Sequence, residues 1–83
     1  MTFMHYVYIL KSLNKPWHYI GSTSNVPKRL KEHNAGTTFS TKPYAPFELI
    51  LVEEYATEKE AREREIKIKK NHALKKFLIP GLK

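Results

Sequence analysis

The sequence predicts an α+β fold in which a small three-stranded antiparallel sheet is flanked by helices. Three observations support this: runs rich in aromatic and β-branched residues, capping residues ahead of helical periodicity, and turn residues between the first two runs. The elements follow in the order β-β-α-β-α-α, which suits helices covering a sheet. The 83 residues contain no repeat or linker, so we expect a single domain spanning residues 1–83.

The first two strands are predicted to form a hairpin. Residues 3–10 make the first strand, whose side chains alternate between two apolar faces, Tyr6, Tyr8 and Leu10 on one and Phe3, Val7 and Ile9 on the other. Such a strand is expected in the middle of the sheet. Turn residues at 12–16 lead into a second strand at 17–22, and the antiparallel return brings Tyr19 near Tyr8.

A first helix is predicted over residues 25–35. Asn25 suits the N-cap, Pro27 is tolerated in the first turn, and Gly36 ends the helix. Within this helix Arg29 and His33 are four residues apart, so a permanent cation and a titratable imidazole share one face.

The second half of the chain is predicted to hold a loop, a strand and two helices. The loop at 36–46 is polar, and side chains such as Thr41 and Lys42 either contact phosphates or merely lie in a connection. The strand is Phe47–Tyr55, with Phe47, Leu49 and Leu51 on one face and Ile50 and Val52 on the other.

A capping box at residues 57–60 begins the second helix, which runs to about Lys70 and breaks at Asn71. Apolar residues at helical spacing then predict a short last helix, ended by Pro80 and Gly81.

Basic residues outnumber acidic ones, and the excess is concentrated near the C-terminus. The chain carries 15 Lys and Arg against 8 Asp and Glu, a net charge of +7, and residues 62–83 hold eight basic residues and two glutamates. This balance favours a polyanion, with nucleic acid ahead of an acidic membrane surface, although a solvated helix face is the alternative.

Other compositional features exclude several classes of protein. The chain has no cysteine, which excludes disulfides, thiolate metal sites and a cysteine nucleophile. The histidines and glutamates show no zinc-binding spacing. The apolar run at 6–10 is too short for a signal-peptide core or a membrane span, so we expect a cytoplasmic protein without a membrane partner.

An ordered set of polar residues resembles the signature of the GIY-YIG nucleases. Tyr19-Ile20-Gly21, followed by Arg29 and His33, is similar to the second half of that signature, and Tyr6-Val7-Tyr8 to the first half. A glutamate in a basic downstream helix is matched by Glu65. The resemblance covers roughly residues 6–79 and implies the same element order and a three-stranded sheet.

The resemblance implies a metal-dependent endonuclease that hydrolyses phosphodiester bonds in DNA. Because a single small domain offers little surface for base reading, we expect structure-selective or weakly sequence-selective action. It implies that Tyr8, with Tyr19 and His33, activates water, that Arg29 stabilises the scissile phosphate, and that Glu65 holds Mg²⁺ or another divalent cation such as Mn²⁺. Nucleic acid is expected to contact Gly21, Lys42, Lys67, Lys69, Lys70, Lys75 and Lys76. A protein partner for targeting is also compatible with so small a domain.

Each of these residues also has an ordinary structural explanation. Glu65 lies on the same helix face as Ala61 and would form an ion pair with a neighbouring Lys or Arg, while Arg29 would pair with Glu32. Strand tyrosines are usually core residues, and an isolated histidine on a helix surface is usually only a polar residue.

Trp17, His18 and Tyr44 are candidates for stacking on an unpaired base.

One departure bears on activity. The chain has Tyr6 where the family signature has glycine, and the bulk of this side chain would narrow the site or alter substrate choice. Two alternatives therefore stay open. One is a non-catalytic nucleic-acid-binding module on the same fold, and the other is a protein-interaction domain that uses Leu74, Phe77 and Leu78.

Overall fold

The computed structural model describes residues 4–82, and its elements follow the predicted order. They are β1 (His5–Ser12), β2 (His18–Thr23), α1 (Val26–Asn34), a 3-10 helix (Lys42–Tyr44), β3 (Phe47–Tyr55), α2 (Glu58–Lys70) and α3 (His72–Leu78). The predicted position of Phe3 in the first strand lies outside the described residues. None of the helices within residues 4–82 combines the length and the apolar character needed to cross a bilayer.

The sheet is antiparallel with the order β2-β1-β3, so β1 lies in the middle as predicted. Its side chains are correspondingly buried: Val7, Tyr8, Ile9 and Leu10 are each at most 1% exposed. Tyr8 pairs with Gly21 on one side and with Val52 on the other. The α+β prediction with a three-stranded antiparallel sheet is therefore confirmed.

Each face of the sheet is covered by different helices. Val7 and Ile9 pack with Ala61 and Ile68 of α2 and with Ile79, which follows α3. The opposite face carries a second cluster, in which Tyr8 and Leu10 pack with Val26, Phe47 and the partly buried Leu30, Tyr6, Trp17, Tyr19 and Tyr44. The face bearing Tyr8 is thus the face that α1 covers.

The prediction for the faces of β3 is wrong. Leu49 pairs with Leu10 but Leu51 pairs with Ile9, because the register shifts by one residue at Ile50. Adjacent residues of β1 point to opposite faces, so Leu49 and Leu51 lie on opposite faces instead of sharing one. Ile50 and Leu51 both pack against the cluster under α2.

The predicted caps of the helices are confirmed. The Asn25 side chain accepts a hydrogen bond from the Lys28 backbone N–H at 3.1 Å, and Thr57 accepts one from the Glu60 N–H at 3.1 Å. Asn71 ends α2 and also caps α3, since its Oδ1 accepts from the Leu74 N–H at 3.0 Å. Gly36 follows α1 with a φ of 74°, a value that favours glycine.

Candidate active site

Four of the predicted site residues come together on the sheet face that α1 covers. The hairpin places the ring centroids of Tyr8 and Tyr19 6.1 Å apart. His33, from the last turn of α1, has its ring centroid 6.0 Å from that of Tyr8 and 4.9 Å from that of Tyr19. One turn earlier on the same helix face, Arg29 lies beside the Tyr8 hydroxyl. The cluster therefore depends on strand register and on helical spacing together.

A buried hydrogen-bonded chain runs through this cluster. His33 Nε2 lies 3.0 Å from the Tyr8 hydroxyl oxygen, and His33 Nδ1 lies 2.8 Å from Thr41 Oγ1. The His33 and Thr41 residues are both 0% exposed. Thr41 belongs to the loop after α1, where the sequence allowed a phosphate contact or a mere connection. Its hydroxyl instead faces the imidazole.

The surroundings shift the pKa values of Tyr8 and His33 in opposite directions. Burial raises the pKa of Tyr8 to about 12, although hydrogen bonding to Arg29 acts in the opposite direction. Burial, followed by the positive charge of Arg29, lowers the pKa of His33 below 6.5. At neutral pH Tyr8 is therefore a protonated phenol and His33 a neutral imidazole.

Gly21 provides the space in which the two tyrosine rings meet. A Cβ atom at this buried position would lie 2.7 Å from the Tyr8 hydroxyl oxygen and 2.8 Å from Cε1 of Tyr19. Both distances are shorter than van der Waals contact allows between non-bonded atoms. Gly21 is thus needed for the placement of the tyrosines whether or not substrate also approaches it.

Arg29 forms the ion pair with Glu32 that the sequence analysis gave as its structural alternative. Its Nη1 lies 3.4 Å from Glu32 Oε1, and the two side chains are 33% and 38% exposed. An exposed pair at this distance contributes under about 1 kcal/mol to stability. An incoming anion would therefore displace Glu32 from Arg29 at little cost.

Glu65 lies apart from the tyrosine cluster. Its helix α2 packs on the other face of the sheet, and Glu65 lines a surface depression with Ser22, Arg62 and Ile66. Ser22 follows Gly21 on the edge strand β2 and pairs with Val7, so Glu65 lies near the edge of the sheet on the side that α2 covers. Glu65 is 19% exposed and accepts a hydrogen bond from Lys69 Nζ at 2.7 Å, which is the ion pair that the sequence left open.

The residues present fit a magnesium site of one carboxylate. Among residues 4–82 no group of three His, Cys, Asp or Glu side chains is placed to share a metal ion. Mg²⁺ does not need such a group, because it keeps several waters and binds through one or two carboxylates together with substrate phosphates. The carboxylate of Glu65, partly exposed in a surface depression, is of the kind that such a site requires.

The basic residues predicted to contact nucleic acid lie mostly at the surface. Lys42, Lys67, Lys69, Lys70 and Lys76 are exposed, and Lys75 is half-buried. They lie on the 3-10 helix, α2 and α3. Of the group, Lys69 is the one paired with Glu65.

One highly exposed aromatic side chain was not among the stacking candidates taken from the sequence. Trp17 is already stacked on Tyr44, with ring centroids 3.9 Å apart, and both pack against the buried cluster. Phe39, in contrast, is 92% exposed in the loop that carries Thr41. The presence of an aromatic residue in an otherwise polar loop could have identified Phe39 from the sequence.

Tyr6, the departure from the family signature, is half-buried on the same side of the sheet as Tyr8.

Comparisons with known proteins identify the family of this chain. Residues 4–77 match the family model of the GIY-YIG catalytic domain. The chain is 39% identical over 75 residues to the UPF0213 protein YazA of Bacillus subtilis, covering 89% of this chain and 75% of that protein. It is 41% identical over 68 residues to the UPF0213 protein CPE1444 of Clostridium perfringens, covering 81% of this chain and 72% of that protein.

A solved structure of a similar protein has the same fold. The solution structure of the UPF0213 protein BH0048 from Bacillus halodurans has a TM-score of 0.56 and 31% identity to this chain, over 92% of this chain and 82% of that one. The fold, the placement of the signature residues and the family match over residues 4–77 lead to one conclusion. The chain belongs to the GIY-YIG family of nuclease domains.

Proposed function

We propose that this chain is a Mg²⁺-dependent endonuclease that hydrolyses phosphodiester bonds in DNA, with structural or weak sequence selectivity, in the cytoplasm. The single observation that best supports the proposal is the buried hydrogen bond between the Tyr8 hydroxyl and His33 Nε2, with Arg29 beside it. Packing alone would be satisfied by phenylalanine at position 8. A phenol, an imidazole and a guanidinium together suit general-base catalysis at a phosphate.

Tyr8 and His33 act as a pair in this proposal. A phenol with a pKa of about 12 cannot remove a proton from water by itself at neutral pH. Neutral His33 accepts the Tyr8 proton at Nε2 while the Tyr8 oxygen takes a proton from the attacking water. The water oxygen bonds to phosphorus, the bond to the leaving oxygen breaks, and solvent protonates that oxygen. Tyr19 confines the water on the other side of Tyr8.

Arg29 binds the phosphate in this proposal. Its planar guanidinium suits two phosphate oxygens, and its charge stays constant across the working pH range. The weak pair with Glu32 holds the side chain near Tyr8 until the anion displaces the carboxylate. As negative charge grows on the phosphate oxygens in the transition state, the same contacts strengthen.

Glu65 holds the divalent cation in this proposal. Bound there, Mg²⁺ would supply Lewis-acid stabilisation to a phosphate oxygen at the edge of β2. Binding requires Glu65 to release Lys69, which then becomes available to a DNA phosphate. Mn²⁺ or another divalent cation is expected to substitute, because the site contains one hard oxygen donor and few geometric constraints.

The remaining surface supports binding to an irregular DNA rather than reading of a long sequence. Exposed lysines on α2 and α3 contact backbone phosphates, which provides affinity without sequence information. Phe39 is exposed in a loop fixed to the site through Thr41, so it is placed to stack on an unpaired base. A protein partner would supply further targeting.

Cleavage assays with matched controls test the proposal. Supercoiled, single-stranded and branched DNA are incubated with the purified chain in Mg²⁺ or EDTA, alongside Glu65→Gln and Arg29→Gln. Exposed neighbours provide the controls, Glu63→Gln on α2 and Lys28→Gln on α1. We expect Mg²⁺-dependent cleavage that is lost in the two site variants and retained in the controls. Equal cleavage by all five proteins would contradict the proposal.

A non-catalytic nucleic-acid-binding module is the second candidate, and two observations favour it. Tyr6 packs in the same cluster as Tyr8 at the position where the family signature has glycine. The Glu65 carboxylate, which would hold the metal ion, is already paired with the Lys69 ammonium group. This candidate predicts binding that weakens steeply with salt and no cleavage in any divalent cation. The same assay, with a binding measurement at two salt concentrations, separates the two candidates.

A further inference from the structure

We propose that Thr41 is a positioning residue that holds His33 in the tautomer with its proton on Nδ1, leaving Nε2 free to accept the Tyr8 proton. The catalytic consequence rests on the function proposed above, whereas the tautomer itself does not. A neutral imidazole carries one ring proton, and only one of the two tautomers lets His33 serve Tyr8 as a base.

The direction of the hydrogen bonds follows from the Thr41 hydroxyl, which has a single proton to donate. Thr41 Oγ1 donates it to the Thr38 carbonyl oxygen at 3.3 Å. We assign the lone pairs of Oγ1 to His33 Nδ1 at 2.8 Å, which makes Nδ1 the donor in that contact. His33 Nε2 therefore carries a lone pair, and the Tyr8 hydroxyl donates to it at 3.0 Å.

The Arg29 side chain is compatible with this direction. It lies near the Tyr8 hydroxyl, and a guanidinium can only donate, so the Tyr8 proton stays available for His33 Nε2. The assignment itself rests on the contacts of Thr41 with His33 and with the Thr38 carbonyl.

The loop fixes Thr41 in this role. The Thr38 carbonyl also accepts the backbone N–H groups of Thr41 at 3.2 Å and of Lys42 at 2.9 Å, which closes a turn around Thr41. The Thr41 carbonyl accepts the Tyr44 N–H at 2.9 Å and so joins that turn to the 3-10 helix. Because Thr41 is 0% exposed, bulk water is not available to replace its hydroxyl.

The tautomer can be observed directly, without any cleavage reaction. Long-range ¹H–¹⁵N correlation spectra of the ¹⁵N-labelled full chain at pH 7.5 distinguish a protonated from an unprotonated ring nitrogen. We expect protonated Nδ1 and unprotonated Nε2 for His33 in the wild type and in Thr41→Ser, and loss of that pattern in Thr41→Val. Ser40→Ala, at an exposed neighbouring position, is the control and should leave the spectrum unchanged.

Tyr8→Phe keeps the test decisive if Thr41→Val does not fold. If Thr41 sets the tautomer, His33 stays protonated on Nδ1 when the Tyr8 hydroxyl is removed. A wild-type His33 protonated on Nε2, or a Tyr8→Phe protein in which the proton moves to Nε2, would overturn the proposal.

Kinetics then measure the consequence for catalysis. Thr41→Val is expected to lower kcat by roughly tenfold or more with little change in KM, and Thr41→Ser to restore most of it. If no protein cleaves DNA while the spectra give the expected tautomer, the proposed function fails and the role of Thr41 stands. If the wild type cleaves and Thr41→Val matches it in both kcat and tautomer, the role of Thr41 is wrong.

Discussion

His33 is the residue whose protonation links stability to pH most directly. It is completely buried, and its pKa is lowered below 6.5 by burial and then by Arg29. Below pH 6.5 the unfolded chain therefore binds a proton that the folded chain resists, so the stabilising contribution is complete above pH 6.5 and is lost as the pH falls. His18, whose pKa is also lowered by burial and by Lys75, acts in the same direction.

We therefore expect the free energy of unfolding to decrease as the pH is lowered from 7.5 to 5. In His33→Gln the decrease should be smaller, because the substituted side chain does not titrate. Urea unfolding monitored by circular dichroism over this pH range measures it, with His18→Gln as the comparison for the other histidine. A pH dependence that is unchanged in His33→Gln would contradict the assignment.

Gly21 offers a second prediction at a single residue. In Gly21→Ala the new Cβ would lie 2.7 Å from the Tyr8 hydroxyl oxygen and must displace it from His33. We expect overpacking to lower the free energy of unfolding by about 1–3 kcal/mol and to reduce cleavage more than this loss alone explains. Ser24→Ala, at an exposed site, is the control. Full cleavage by Gly21→Ala would show that the hydroxyl position is not critical.

Among the secondary structure elements, β3 and α2 are joined by a charged contact outside the site. Glu53 Oε1 and Oε2 accept hydrogen bonds from Arg64 Nε at 2.8 Å and Nη2 at 3.1 Å, and the Tyr55 hydroxyl donates to Oε1 at 2.9 Å. Hydrogen bonding to Arg64 is the main reason that the pKa of Glu53 is lowered. The contact stabilises the fold above the ordinary carboxyl pKa and weakens as the pH falls below it.

Glu53→Gln is accordingly expected to lower the free energy of unfolding at pH 7 by about 1.5–3 kcal/mol, the range for hydrogen bonds to charged groups. Urea unfolding measures this, and Glu54→Gln at the exposed neighbouring position should change it little. If the two variants were equally stable, the contact between β3 and α2 would contribute nothing.

Phe39 is exposed in the loop between α1 and β3, the loop that also carries Thr41. Phe39→Ala is expected to weaken binding to single-stranded DNA by about 1–3 kcal/mol, the value of one stacked base, and to affect fully paired duplex much less. Fluorescence anisotropy with both DNA forms measures it. Phe77→Ala is the matched control, since Phe77 is 85% exposed on α3. An equal loss for both DNA forms would argue against stacking.

The elements also show what could be predicted from sequence. The hairpin register and the i, i+4 spacing of Arg29 and His33 place four site residues, because strands and helices have fixed periodicities. The bulge at Ile50 leaves no periodic signal, since a single extra residue reverses the faces that follow it. Thr41 was not assigned to His33 because an irregular turn sets that contact, and turns of this kind lack a sequence period.

For the whole molecule, the two faces of the sheet differ in composition. The face under α2 holds the aliphatic core, whereas the face under α1 holds the aromatic and polar cluster. Glu65 lines a depression beside Ser22 of the edge strand β2 on the α2 side of the sheet, whereas the tyrosine–histidine pair lies on the α1 side. The net charge of +7 is compatible with the polyanionic substrate that we propose.

The most direct test is single-turnover cleavage of DNA by the wild type and by Tyr8→Phe in Mg²⁺ from pH 5 to 9. Because Tyr8 must give its proton to neutral His33, we expect the wild-type rate to rise with pH through a pKa below 6.5 and then to level off. We expect Tyr8→Phe, which retains the ring, to lose at least about a hundredfold in rate, the scale of general-base catalysis. No cleavage by the wild type, or equal rates for the two proteins, would contradict the assignment of Tyr8 and His33 as the catalytic pair.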